Sequence, residues 1–262
     1  MLRALATSAT GMIAQQLTVD AIANNLANVN TPGYKRSRPE FQDLLYQSVG
    51  ATGASGSAAA RVPVGVQVGH GSRLTATQKY HSQGNTVETG NPLDMTVEGA
   101  GFFKVTLPSG EIGYTRDGSF KLDGNGSMVT SDGYPLEPAV TVPAEAQAIA
   151  IDAEGRITAR IAGETDPQEL AQIELARFVN PAGLEAMGRN LYRKTGASGD
   201  EILAAPGQDG TGTIASGYLE MSNVQVVEEM IALITAQRAY EINSKSIQTS
   251  DDMLSVVNQL KR

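Results

Sequence analysis

The chain holds two histidines, His70 and His81, and no cysteine. A zinc site would need both histidines with carboxylates in register, yet neither stands in a His-x-x-x-His or His-Glu-x-x-His pattern. Both read instead as exposed strand or loop residues. The run Asp123-Gly-Asn125-Gly-Ser127 opens like a calcium loop. Met128 occupies the place of its sixth-position glycine and Tyr134 that of its closing glutamate, so the run reads as a tight turn. Asp117, Asp123 and Asp132 could be paired as a glycosidase acid and base, but each precedes glycine and turn geometry accounts for them. No Gly-x-Ser-x-Gly elbow, P-loop or Gly-x-Gly-x-x-Gly after a strand occurs. No catalytic, metal or cofactor-binding residue is assigned.

A different chemistry is concentrated in Ala23-Asn-Asn-Leu-Ala-Asn-Val-Asn-Thr-Pro-Gly-Tyr34, which crowds four asparagines at Asn24, Asn25, Asn28 and Asn30. A helix end followed by a turn explains Pro32 and Gly33 but not these amides. Asparagine is a poor helix former whose side chain both donates and accepts, so several in one turn point to hydrogen bonds into neighbouring backbones.

The elements that must position this segment are two long helices at the extremities. Apolar residues recur at Leu2, Leu5, Ala9, Met12, Ile13, Leu17, Ile22 and Leu26, and again at Val227, Ile231, Ile234, Ile242, Ile247, Leu254, Val257 and Leu260. Both series follow the three-to-four spacing of a helical stripe. The first helix should stop near Asn28 to Asn30, because Thr31-Pro32-Gly33 cannot continue it. Its first 33 residues carry only Arg3 and Asp20 as charges, so its wet face is Ser, Thr, Gln, Asn and Ala. That suits protein contact on several sides, or a tail disordered before assembly and ordered after it. The last helix is expected from Asn223, capped by Ser222-Asn-Val-Gln225, with Glu228 and Glu229 at its positive end and Lys261 and Arg262 at its negative end. From Asn223 to Leu260 it would span roughly 55 Å, too long for a compact globule of this size to enclose.

Between the helices the pattern is β. The Gly50 to Ala60 tract contains only Gly, Ala, Ser and Thr and reads as a flexible linker. Alternation then predicts strands over 62–68, 73–80, 93–97, 102–107, 112–115, 119–122, 149–151, 156–161 and 173–178. Asp117-Gly118, Asp123-Gly124, Asn125-Gly126 and Asp132-Gly133 supply turns that tolerate positive φ. A second loop-rich stretch runs from Gly196 to Gly217. The fold class is α+β: long N- and C-terminal helices paired as a coiled-coil-like core layer, with an inserted, mainly antiparallel β domain. The expected domains are 1–34 with 219–262 (helical assembly core), 35–80 with 196–218 (extended connecting region) and 81–195 (β-rich outer domain).

A formal net charge of −8 argues against nucleic acid, whose phosphates demand a basic face. No segment supplies the roughly eighteen unbroken apolar residues of a membrane span. The first residues lack the charged and apolar regions of a signal peptide, so any export would bypass general secretion. Zero cysteine excludes a disulfide framework and thiolate metal sites.

The asparagine-rich segment closely resembles the N-terminal signature of the bacterial flagellar rod and hook axial proteins. Gly217-Tyr-Leu-Glu-Met-Ser-Asn-Val224 and Ala236-Gln-Arg-Ala-Tyr-Glu-Ile-Asn-Ser-Lys245 resemble that family's C-terminal motif. The middle is similar too, through Leu93 to Phe103, Tyr114-Thr-Arg-Asp-Gly-Ser-Phe120 and Gly183 to Tyr192. The resemblance covers essentially the whole chain, and within the family the length favours a distal rod subunit. It implies a motif of Asn24, Asn25, Leu26, Ala27, Asn28, Asn30, Thr31, Gly33 and Tyr34 with Gln237, Arg238 and Tyr240. Self-assembly contacts would lie at Leu5, Ile13, Leu26, Val227, Ile231, Ile234, Ile247 and Leu254. It further implies a helical homopolymer around an export channel in the periplasm-spanning rod of the basal body, and export through the flagellar type III apparatus. Proximal rod proteins, the hook protein and the bushing rings at the peptidoglycan and outer membrane would be its partners. Competing readings are a proximal rod or hook subunit, a secreted cell-wall glycan hydrolase, and a monomeric binding module or adhesin.

Overall fold

The computed structural model describes residues 2–48, 55–57, 60–61, 65–161 and 167–260. The chain is α+β and divides into two compact units. One comprises residues 1–26, 37–78 and 225–262, the other 27–36 and 79–224.

The first unit carries helix α1 (Leu2–Ala27) and helix α2 (Val226–Leu260). A turn over 28–30 ends α1 just before Pro32, whose missing amide forbids a further helical bond. At 35 residues, α2 is roughly 52 Å long. Its first turn bonds Glu229 N–H to the Gln225 carbonyl at 3.0 Å. The helix therefore starts three residues later than the capping box predicted. Ser222 Oγ accepts from the Val224 amide at 3.3 Å, two residues on, so it closes a local turn and does not cap the helix. Lys261 and Arg262 lie outside the described residues. Strand Ser37–Asp43 pairs with Ser72–Lys79, and Tyr46–Ser48 runs antiparallel to Gln67–Gly69. Of the predicted 50–60 linker, Ser55–Ser57 pairs with Ala60–Arg61; the rest of it, and 62–64 of the strand predicted next, lie outside the described residues.

The helices meet through small and polar side chains. Ser8 Oγ donates to Ser246 Oγ at 3.2 Å, and a Cβ added to Gly11 would sit 3.0 Å from the Asn243 amide nitrogen. Glu229, Ala236, Asn243 and Ser250 recur every seven residues along α2, and all but the half-buried Asn243 are buried. Ala14, Ile22 and Asn25 are buried on α1.

The second unit is antiparallel β. Its main sheet runs Glu185–Gly188, Leu191–Arg193, Ile112–Thr115, Phe102–Thr106, Leu175–Arg177, Ile202–Ala204, with Leu136–Glu137 also pairing onto Phe102–Thr106. Side chains alternate across this sheet. Phe103 and Val105 face a core with Met95, Phe120, Leu136, Ile157 and Leu175, whereas Phe102 packs with Tyr114, Phe178 and Tyr192 on the other side. Ala146–Ile151, Arg156–Ile161 and Gln168–Gln172 form a three-stranded meander. Within the predicted loop-rich stretch 196–217, Ile202–Ala204 and Thr213–Ser216 are strands. Short as they are, each buries an apolar residue (Ala204, Ile214) and pairs along its whole length with a strand distant in sequence, Leu175–Arg177 or Met95–Glu98. Gly126 and Gly133 take positive φ in their turns, but Gly118 and Gly124 do not. Gly118 is small for another reason: a Cβ there would lie 1.6 Å from the Met95 carbonyl oxygen.

Candidate assembly surface and terminal-motif sites

Most of the large apolar residues of α2 lie on a stripe that the described residues leave open. Val227 is 70% exposed, Ile231 61%, Ile234 51% and Ile242 69%, and Met230, Met253, Val256 and Val257 are exposed with them. Val227, Ile231 and Ile234 fall at i, i+4 and i+7 and so share one face. On α1, Ile13 is 59% exposed. Leu5, Leu26, Ile247 and Leu254 are half-buried, so the predicted assembly residues divide between the open stripe and the flanks of the helix seam. Gln237 and Tyr240 line a groove with Gln16, Val19 and Glu241, and Arg238 is exposed.

Asn25 explains part of the asparagine cluster. Its amide nitrogen donates to the Ser37 carbonyl at 2.9 Å and to Glu229 Oε2 at 3.2 Å, while its oxygen accepts from the Ser37 amide at 3.0 Å. One side chain thus ties α1 to both the following strand and the start of α2. We expect Asn25→Ala to cost about 2–3 kcal/mol, because it strips hydrogen bonds from the half-buried Ser37 backbone and from the buried Glu229 carboxylate. Urea unfolding of the two chains measures this, and coincident curves would refute it. Asn28 accepts from Thr31 Oγ1 at 3.2 Å, and its carbonyl accepts from the Thr31 amide. Asn24, Ala27 and Asn30 face outward, and Tyr34 is half-buried.

In the second unit the turn after α1 is held by buried charge. Glu220, 1% exposed at the end of strand Tyr218–Glu220, accepts from Lys35 Nζ on Oε1 and from Arg116 Nε on Oε2, both at 2.6 Å. Lys35 also donates to the Ser82 carbonyl at 2.8 Å. Arg116 also donates to backbone carbonyls, to Val97 at 2.7 Å, to Gly99 at 2.5 Å and to Gly101. Burial opposes ionisation of Glu220, but the Arg116 and Lys35 charges outweigh it and hold the carboxyl below its ordinary value. Burial pulls the Lys35 ammonium down against the attraction of Glu220.

Neutral groups complete this arrangement. Asn223 accepts from the Arg36 amide at 2.8 Å and donates to the Tyr80 carbonyl at 2.8 Å. Asn190, in a positive-φ turn with Arg189, reaches the Pro32 carbonyl at 3.2 Å and Asp117 Oδ2 at 3.1 Å. Gly33 takes φ +68° and its Cβ would stand 2.6 Å from the Asp117 amide nitrogen, so only glycine fits there. The carboxylate of Asp117 is occupied by Ser119 and Asn190, and that of Asp123 by the amides of Asn125 and Ser127.

Lys35, Arg116, Glu220 and Asn190 were not singled out from the sequence. Each lies in or beside a quoted motif, but no spacing rule pairs residue 35 with residue 220. The histidine expectation needs correction for His81. Its ring meets Phe102 at 5.6 Å and Tyr192 at 5.5 Å between centroids, and both ring nitrogens are shielded from solvent. Burial, with Lys35, Lys79 and Arg116 nearby, lowers its pKa from 6.5 to about 4. The unfolded chain takes up this proton near pH 6.5 and the folded chain only near 4. Stability is therefore full above that window and falls through it, by ~3 kcal/mol at most. His81→Phe should lose less Tm than the wild-type chain between pH 7 and 4; equal losses would exclude this role.

Residues 96–159 match the family model described as the flagellar hook protein FlgE/F/G D1 domain, and 215–260 match the flagellar basal body rod FlgEFG protein C-terminal model. Residues 5–35 match the flagella basal body rod protein model. The chain is 51% identical to the flagellar basal-body rod protein FlgG of Borreliella burgdorferi, with 100% of each chain covered. The chain belongs to the flagellar basal-body rod protein FlgG family. The FlgG of Caulobacter vibrioides is 48% identical over 99% of this chain and 100% of its own length, and that of Bacillus subtilis is 40% identical over 100% of both. The terminal matches of this rod-family chain fall on α1 with the Gly33 turn and on α2 with the strands leading into it. Both Lys35 and Glu220 lie inside them.

Proposed function

We propose that this chain is a structural subunit of the bacterial flagellar basal body, one that self-assembles helically into the hollow distal rod and transmits torque from motor to hook. The observation that carries the reading is the open apolar stripe on α2, in a chain related along its full length to rod proteins. Contiguous exposed apolar surface of this kind marks an interface. Contacts that are heterologous and do not close produce an open filament.

In this reading α1 and α2 pair as a coiled-coil-like inner layer lining the export channel, with the β-rich region 81–195 outside it and 35–80 with 196–218 connecting the two. Leu5, Ile13, Leu26, Val227, Ile231, Ile234, Ile247 and Leu254 make the contacts within and between subunits. The small-residue seam between the helices serves this arrangement: it spends little apolar area inside one copy and leaves the large side chains for the next. The partners are further copies, proximal rod proteins, the hook protein and the surrounding ring proteins, in a rod spanning the periplasm after type III export. Among the described residues no helix is long and apolar enough to cross a membrane. The test is electron microscopy of the assembled full-length chain. A straight hollow tube supports the reading, a curved tube reassigns the chain to a hook-type role, and a permanently monomeric chain refutes it.

A further inference from the structure

We propose that the cavity floored by Lys35 and Arg116, and flanked by His81 and Arg177, binds a small monovalent anion, a halide or a simple carboxylate. The inference goes beyond the rod function and stands independently of it. The cavity lies wholly within the second unit and measures about 70 Å³, several times the ~15 Å³ that admits a water molecule. Its floor is nearly free of solvent, with Lys35 1% and Arg116 5% exposed, while Gly99 and Ala100 form an exposed rim.

Three observations point to an anion. First, charge does not balance among the described residues: two buried cations share one buried carboxylate, Glu220, and none of the residues lining the cavity is acidic. A surplus positive charge at low dielectric is costly until an anion approaches. Second, donors are left over. An ammonium has three protons and a guanidinium five, and the bonds made use two on Lys35 and four on Arg116. Third, His81 lines the same cavity with both ring nitrogens buried and unbonded, so its N–H has no acceptor among the described residues. The floor carries one surplus charge and Arg177 adds a second at the rim, while the Phe102 and Phe178 walls restrict the occupant to a small ion.

The full-length chain is titrated with sodium bromide and with sodium formate at constant ionic strength, balanced by a bulky anion that the cavity cannot admit. Melting curves and the imidazole nitrogen signals of both histidines are followed. Binding to the folded state alone predicts a saturable rise in Tm, with the unfolding constant lowered about elevenfold at ten times Kd. The His81 signals should move along the same isotherm while those of His70 stay fixed. Arg177→Gln, at the half-buried rim, should weaken binding at least tenfold in both readouts. A linear response, equal movement of both histidines, or an unchanged isotherm in Arg177→Gln would overturn the proposal. So would His81 shifts that track protein concentration without added anion, since a carboxylate of a second copy would then be the occupant.

Discussion

Aspartate in place of Ile234 should abolish the polymer and leave the monomer folded. Ile234 is 51% exposed, so the isolated chain loses little packing and the substitution should cost it about 0.5 kcal/mol or less. In a filament the same position would be covered in every copy, and each copy would carry an unpaired carboxylate into an apolar contact. That penalty is about several kcal/mol per site and multiplies along the polymer. Ala236→Asp provides the contrast, because Ala236 is 4% exposed on the seam side of the same helix and its replacement should unfold the helix pair itself. Circular dichroism of the monomer, with sedimentation and electron microscopy of assembly mixtures, separates the two effects. Normal tubes from the Ile234→Asp chain would remove α2 from the interface.

Glu220→Gln should destabilise the second unit by about 3–5 kcal/mol, the usual consequence of removing one member of a buried ionic cluster. The amide matches the carboxylate in size but brings no charge, leaving Lys35 and Arg116 both cationic and nearly solvent-free. With no tryptophan in the chain, tyrosine fluorescence follows the unfolding in urea. The wild-type advantage is pH-dependent with a definite sign. Because the folded carboxyl titrates below its ordinary value of 4.5, the stabilisation is present above that value and lost as the pH falls through the lower folded one. The two chains should therefore converge in acid. Adding Lys35→Met to Glu220→Gln should recover part of the loss, since it removes a charge the variant leaves unpaired. A Glu220→Gln chain within about 1 kcal/mol of wild type at neutral pH would contradict the role assigned to this cluster.

Much of the architecture was legible because it rests on periodicity. The strand predicted at 156–161 is the observed Arg156–Ile161, and α1 stops ahead of Pro32 where the lost amide requires it. Strands such as Ile202–Ala204 and Tyr218–Glu220 escaped because three residues show no period; their partners, Leu175–Arg177 and Thr86–Glu88, lie far away in sequence. The capping box failed for a related reason. Asn223 is held by Arg36 and Tyr80, and those tertiary bonds keep residues 222–225 out of the helix.

The sequence by itself determined the α+β class, the terminal helices and, through two distant motifs, the rod family, since each depends on residue type at short range. Which apolar residues stay open, and which small ones form the seam, was decided only in three dimensions. A helical period marks a stripe but not the neighbour that covers it. The same holds for Lys35, Arg116, Glu220 and His81: their charges acquire meaning only where folding withdraws water from them together.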